Sequence, residues 1–171
     1  MAHQNGLNDK GYVNFLNQAI TPALPYLKSS MSGLDFGCGP TPTLSLLLGK
    51  QGLHCINYDP IFFPVLPNNQ FNYIFVTEVA EHFFNPAADF LRICNLLVEG
   101  GILTIMTEPW LSLDGFAEWH YAKDITHVSF YNTKTIEYIS GQFNFEILNR
   151  EAGRVTVLKK HYPLAGPAVM N

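Results

Sequence analysis

The sequence predicts a doubly wound α/β fold, a mostly parallel sheet with helices on both faces, finished by a C-terminal antiparallel hairpin. Three observations predict it. Short apolar runs bounded by Gly, Pro or Asn alternate with stretches of helical periodicity, as strands buried on both faces alternate with crossover helices. A turn rich in glycine, "DFGCGPTPT" (Asp35–Thr43), joins the first apolar run to a helical pattern. An acid, Asp59, closes the second run 24 residues after Asp35. Together these describe a ligand site at the carboxyl edge of a doubly wound sheet.

The elements follow in order. Tyr12, Phe15, Leu16, Ala19 and Ile20 form one amphipathic stripe, so residues 1–30 are expected to be a helical segment lying over the pocket or the sheet end, broken at Pro22 and Pro25. "SGLDFG" (Ser32–Gly37) is the first strand. Thr41 and Pro42, a capping side chain and a proline for the first helical position, start a helix with Leu44, Leu47 and Leu48 on one stripe, and Gly52 stops it. "LHCINY" (Leu53–Tyr58) is the next strand. Only eleven residues, Pro60 to Gln70, precede "FNYIFVT" (Phe71–Thr77). That is too few for a helix, a strand and a return, so the sheet is expected to be shortened there, its third strand reduced or missing. Asn85 and Pro86 start a helix carrying Phe90, Leu91, Cys94 and Leu97, with Gly100 as its stop, and "GILTIMT" (Gly101–Thr107) is the strand after it. "FNFEILNRE" and "GRVTVLKK" flank Ala152 and Gly153 as a hairpin, and the tail, residues 161–171, is expected to be loosely held. With no repeat, linker or low-complexity segment, residues 1–171 read as a single domain.

Composition narrows the function. A net charge of −4 and ten scattered Lys and Arg give no basic stripe for nucleic acid. No apolar run approaches the roughly 18 residues needed to span a bilayer. Three widely spaced cysteines with no CxxC pair, and no signal-like start, point to a reduced, cytoplasmic protein. Cys38 reads as a small filler of the turn, and Cys55 and Cys94 as core. Nothing signals an oligomeric state.

The glycine turn selects among ligands. A dinucleotide fingerprint, G-x-G-x-x-G, requires glycine at position 42 and sets a pyrophosphate on free amides. Pro42 has no N–H, so a ligand without phosphates suits the turn better. At these residues the sequence resembles class I S-adenosylmethionine-dependent methyltransferases, whose first motif runs acid-x-Gly-x-Gly-x-Gly. Asp35, Gly37 and Gly39 match, and Thr41 stands in place of the third glycine. "FNYIFVTEVAEHF" resembles the fourth-strand motif and "LLVEGGILTIMT" the L-x-P-G-G lead into the following strand. "WHYAKDITHVSFYNTKT" resembles a segment of the small bacterial members. The resemblance implies a Rossmann-like fold and places Asp35, Gly37, Gly39, Thr77 and Glu78 beside the cofactor, with Asp59 on its ribose hydroxyls. Pro60, Ile61 or Phe62 is expected on the adenine face, because the missing strand removes the family's usual adenine contact.

Acids and histidines gather around the open end. Glu78, Glu81 and His82 follow a strand at i, i+3 and i+4, a spacing open to metal ligation, general base chemistry or a hydrogen-bonded turn. The E-x-x-E-H turn resembles that of small-RNA 2′-O-methyltransferases and quinone O-methyltransferases. That resemblance implies a divalent metal held by Glu78, Glu81, His82 and His127, and the donor set does not discriminate among Mg²⁺, Mn²⁺ and Zn²⁺. Trp119, Tyr121 and Asp124, with Glu108, are the candidate substrate contacts, and His120 or His127 the candidate catalytic base. The expectation is methyl transfer to a small, partly apolar or aromatic acceptor by in-line displacement, releasing S-adenosylhomocysteine. A non-catalytic S-adenosylmethionine-binding or regulatory module is the alternative, and a nicotinamide-dependent oxidoreductase is opposed by Pro42.

Overall fold

The computed structural model describes residues 6–66, 68–151 and 153–161. In chain order come helix α1 (Lys10–Ala23), strand β1 (Ser32–Phe36), α2 (Thr43–Lys50), β2 (His54–Tyr58) and β3 (Phe71–Thr77). They are followed by α3 (Pro86–Leu96), β4 (Leu97–Met106), α4 (Thr133–Gln142), β5 (Phe145–Glu151) and β6 (Val155–Lys160). The six strands lie in the order β2-β1-β3-β4-β6-β5. The first four are mutually parallel, while β6 runs antiparallel to both β4 and β5.

Apolar side chains alternate along the central strands and so feed two cores. On one face Leu16, Ile20, Leu44 and Leu48 of α1 and α2 pack on Tyr73, Phe75 and Val157. On the other, Phe90 and Ile93 of α3 and Ile136 and Ile139 of α4 pack on Leu34, Ile74 and Leu103. Each fully buried large side chain contributes about 1.5–3 kcal/mol relative to exposure. Gly33 shows how tightly the layers fit. A Cβ there would lie 1.9 Å from the Tyr73 ring, which passes beneath β1 so that its hydroxyl donates to the His54 carbonyl at 2.8 Å.

The shortened segment is as expected. Between Tyr58 and Phe71 the described residues hold no strand, only an isolated bridge between Asp59 and Phe63, which leaves β2 as a sheet edge. In the hairpin the later strand, β6, lies inside against β4, and β5 takes the outer edge. Residues 162–171 of the tail lie outside the described residues. His161 itself is held, its backbone N–H donating to the Asn144 carbonyl at 2.9 Å.

Three local readings change, and one helix carried no reading. Pro22 lies within the last turn of α1, which ends one residue later and passes into a 3₁₀ turn at Leu24–Tyr26. Thr41 does not cap α2, whose N-cap is Pro42 with no side-chain bond, whereas Asn85 does cap α3 by accepting from the Ala88 N–H at 3.2 Å. Gly100 does not stop α3. The chain turns extended at Leu97 because Lys160, from β6, donates its ammonium to the Cys94 and Leu97 carbonyls at 2.9 Å each, doing the work of a C-cap. Helix α4 had no strong sequence signal. Its start is fixed by Asn132, whose side chain accepts from the Thr135 N–H at 2.9 Å.

Candidate active site

The glycine turn leaves β1 and is fastened to β2. The Gly37 and Cys38 amides both donate to the Tyr58 carbonyl, at 2.7 and 3.1 Å. Gly37 (φ 86°) is glycine for the fold, since a Cβ there would meet Val79 at 2.4 Å. Gly39 (φ 65°) is different: a Cβ there would meet nothing within 4 Å, so the turn opens onto free space. The Gly39 amide donates to Asp59 Oδ2 at 3.1 Å, while Asp59 Oδ1 accepts from the Ile61 and Phe62 amides at 2.8 and 3.0 Å. Asp59 thus shapes both the turn and the loop after β2. Three of its roughly four acceptor positions are already taken. Pro60 is exposed.

Asp35 and Glu78 stand at the carboxyl ends of adjacent strands, and Tyr12 of α1 reaches over them. A small cleft there is lined by Tyr12, Asp35, Gly37, Thr41 and Thr77. Asp35 is 4% exposed. Burial and then the Asp59 charge raise its carboxyl to about 7. Burial and then the Glu81 charge raise Glu78 to about 7 against the opposing pull of Arg154. Glu78 has φ 52°, a left-handed conformation that costs a non-glycine residue of order 1 kcal/mol or more. Its amide, donating to the Met106 carbonyl at 2.8 Å, holds it there. Thr77 Oγ1 and Glu78 Oε1 are buried without a hydrogen-bond partner among the described residues. Cys38, pushed up to about 12 by burial and the two aspartates, is a neutral thiol and no nucleophile.

A stability prediction follows from these carboxyls. Their folded pKa values lie above the unfolded ones, so the stability these two groups contribute is full below about pH 4, is lost as pH rises to about 7, and changes no further beyond. Each group contributes a slope of at most about 1.4 kcal/mol per pH unit. Thermal melts of the ligand-free protein across this range should show the fall, and Asp35→Asn should make it shallower. A melting temperature that rises from pH 4 to 7 in the parent, with the variant following it, would remove Asp35 as a raised group.

Beyond Glu78 the chain makes a 3₁₀ turn at Ala80–His82. Glu81 is fully buried. Its Oε2 accepts from Thr107 Oγ1 at 2.9 Å and its Oε1 has no partner among the described residues. Thr107 Oγ1 lies 3.0 Å from the Tyr121 hydroxyl, which in turn donates to Glu78 Oε2 at 3.4 Å. Burial and the two glutamates push the Tyr121 hydroxyl far up, so it stays protonated. His82 Nδ1 is 2.9 Å from the Thr126 carbonyl and His127 Nδ1 is 2.7 Å from the Tyr121 carbonyl, with ring centroids 4.9 Å apart. One donor atom each from Glu81, His82 and His127 fall within 4.8 Å of one another. Glu78 is not in that group; its carboxylate turns to Tyr121 instead.

The substrate-side residues divide. Glu108 accepts from Trp119 Nε1 at 2.7 Å and from Arg154, which the start of β6 brings beside the end of β4. Trp119 stacks on Tyr121 at 5.0 Å and 28°. His120 points outward, its side chain 78% exposed and 3.8 Å from Glu108. Asp124 is committed to its own turn, accepting from the Thr126 amide and hydroxyl at 2.9 and 2.7 Å, and these bonds lower its pKa. Tyr12 read only as part of a helical stripe. Thr107 and Arg154 carried no sequence signal, because their importance comes from strand pairing.

The sequence matches the Methyltransferase domain family over residues 9–150. The chain belongs to that family, and its fold is that of S-adenosylmethionine-dependent methyltransferases. A structure described as a SAM-dependent methyltransferase from Archaeoglobus fulgidus is 16% identical, with a TM-score of 0.64 over 86% of this chain and 94% of that one. Burkholderia thailandensis 1,6-didemethyltoxoflavin-N1-methyltransferase, solved with 1,6-didemethyltoxoflavin and S-adenosylhomocysteine, is 12% identical, with a TM-score of 0.67 over 90% and 82%. An O-methyltransferase family protein from the same organism is 13% identical, with a TM-score of 0.57 over 91% and 60%. No curated protein matches the sequence. No helix among the described residues is long and apolar enough to cross a membrane.

Proposed function

We propose that this protein, acting as a single domain, methylates a small molecule with S-adenosylmethionine as donor, in the cytoplasm. The observation that carries it is the open glycine turn at Gly39, set against the buried Asp35 carboxyl and tied to Asp59. The residues fit the donor. Free space at Gly39 admits a ligand's backbone-close approach, and the remaining acceptor position of Asp59 suits a ribose hydroxyl. Asp35 and Glu78, once ionised, suit a ligand that carries positive charge, and Thr77 Oγ1 and Glu78 Oε1 offer polar atoms in need of partners. S-adenosylmethionine supplies a sulfonium-bound methyl group to an in-line nucleophile. Melting temperatures test the donor: S-adenosylmethionine or S-adenosylhomocysteine should raise it and NAD should not. Stabilisation with no labelled product from any metabolite extract would favour the non-catalytic module.

On the acceptor side, Glu108, Trp119 and Tyr121 form the wall, and the chain's scattered basic residues argue for a small molecule over nucleic acid. His127 is the better placed base, because it packs on Tyr121 at 4.1 Å between ring centroids, whereas His120 faces solvent.

A second reading rests on Glu81, His82 and His127. Both imidazoles aim Nδ1 at a backbone carbonyl, which selects the tautomer that leaves Nε2 as a lone-pair donor. The unpartnered Glu81 Oε1 completes three ligands for a divalent ion. A bound ion would orient and acidify an acceptor hydroxyl. Elemental analysis after Mn²⁺ or Zn²⁺ soaking should find about one ion per chain in the parent and in Glu78→Gln. Glu81→Gln should retain little. No stoichiometric ion in the parent would return the three side chains to a structural role.

A further inference from the structure

We propose that the acceptor pocket grips its substrate by a cationic, amine-type group on an apolar body; this rests on the methyl-transfer reading above and names the substrate class. Following β4, the chain forms an open cleft of about 360 Å³ whose wall is Trp110, Phe116 and Trp119, with the carboxylate-bearing Glu108 and Glu118 among its lining. The size is that of a small-molecule site.

The rings are fixed. Phe116 meets Trp110 edge-on at 6.5 Å and Phe130 at 5.0 Å, and lies 5.9 Å from Trp119. Trp119 is pinned by its N–H to Glu108 and by its stack on Tyr121. That stack connects the cleft to the Tyr121 hydroxyl, and through it to Glu78 and Thr107. The cleft is therefore one aromatic layer from the proposed transfer site.

Its rings carry the discrimination. The lining includes three aromatic side chains and no basic one, while its two carboxylates are already paired, Glu108 with Arg154 and Glu118 with Lys123 Nζ at 2.7 Å. Arg154 bonds Glu108 but is not part of the lining, and its guanidinium lies 5.6 Å from the Phe15 ring centroid. An anion finds no basic side chain in the lining, and a neutral apolar molecule uses the rings only as surface. A cation gains the negative ring faces, with the paired carboxylates nearby. Leu111 and Leu113, 90% and 79% exposed on the same segment, give apolar surface for the rest of the molecule to cover.

The chain's two tryptophans, Trp110 and Trp119, both line this cleft, so intrinsic fluorescence reports its occupancy. The probes are benzyltrimethylammonium, its neutral isostere neopentylbenzene, and phenylacetate. Benzyltrimethylammonium should bind about tenfold more tightly than the isostere, and phenylacetate should not bind. Phe116→Leu keeps an apolar wall without the ring, so the cation's advantage should shrink to about twofold while the neutral probe binds as before. Glu118→Gln, altering a surface carboxylate, should weaken the cation a few fold. Equal affinities for cation and isostere, a preference for phenylacetate, or no response to the cation at millimolar concentration would each overturn the proposal. A parallel melt with S-adenosylmethionine separates the two readings. Stabilisation by the donor with no cation preference defeats only the substrate class, whereas a cation preference without any donor response defeats methyl transfer.

Discussion

Asp59→Ala should cost this protein both stability and cofactor affinity. The carboxylate accepts three backbone amides, from Gly39, Ile61 and Phe62, and is nearly buried at 9% exposure. Bonds to a charged group are worth about 1.5–3 kcal/mol each, and losing the carboxylate leaves those amides to find water or remain unpaired. A net loss of about 3 kcal/mol is expected, which lowers the melting temperature by roughly 10 °C in a chain of this length. Cofactor affinity should fall at least 100-fold, because the glycine turn loses its tie to the loop after β2 as well as its ribose acceptor. Asp59→Asn distinguishes the two effects. Its single oxygen can still serve Ile61 and Phe62, while its amide cannot accept from Gly39. The Asn variant should therefore keep most of the stability and still bind S-adenosylmethionine at least tenfold more weakly by calorimetry. An Ala variant with parental melting temperature and affinity would remove Asp59 from both the fold and the site.

Features written in local chemistry were legible in the sequence. The apolar runs of β1, β3 and β4 announce strands buried on both faces, and the eleven residues after Asp59 announce the absent third strand by simple lack of chain. Features that depend on a distant partner were not. Gly100 looks like a helix stop, yet α3 ends earlier because Lys160, 64 positions from Leu96 in the chain, supplies the missing donors. The same limit governs the site. Glu81, His82 and His127 have donor atoms within 4.8 Å of one another, whereas Glu78 stands outside that group with its carboxylate accepting from Tyr121, a difference the E-x-x-E-H spacing does not encode. Thr107 and Arg154 join the site only through the pairing of β4 with β6. Asp124 and His120 were suggested by residue type, and their surroundings redirect them: one caps a turn and the other faces solvent.

Gly39→Asn should leave the protein folded and abolish binding of S-adenosylmethionine. The choice of asparagine isolates the question. Gly39 has φ 65°, so valine or alanine there would confound backbone strain with loss of space. Asparagine tolerates the left-handed region better than other side-chain-bearing residues, and the added Cβ meets nothing within 4 Å. The melting temperature of the ligand-free variant should accordingly stay within a few degrees of the parent, and the Gly39 amide keeps its bond to Asp59. The side chain must then project into the space that the cofactor is proposed to occupy. Affinity should drop by more than about 100-fold, equivalent to roughly 2.8 kcal/mol, with S-adenosylhomocysteine affected alike because the clash does not depend on the methyl group. Gly37→Ala provides the contrast. Its Cβ collides with Val79 inside the protein, so that variant should lose stability even without ligand. A stable Gly39→Asn protein that titrates like the parent would mean that Gly39 is glycine for its backbone alone and that the cofactor lies elsewhere.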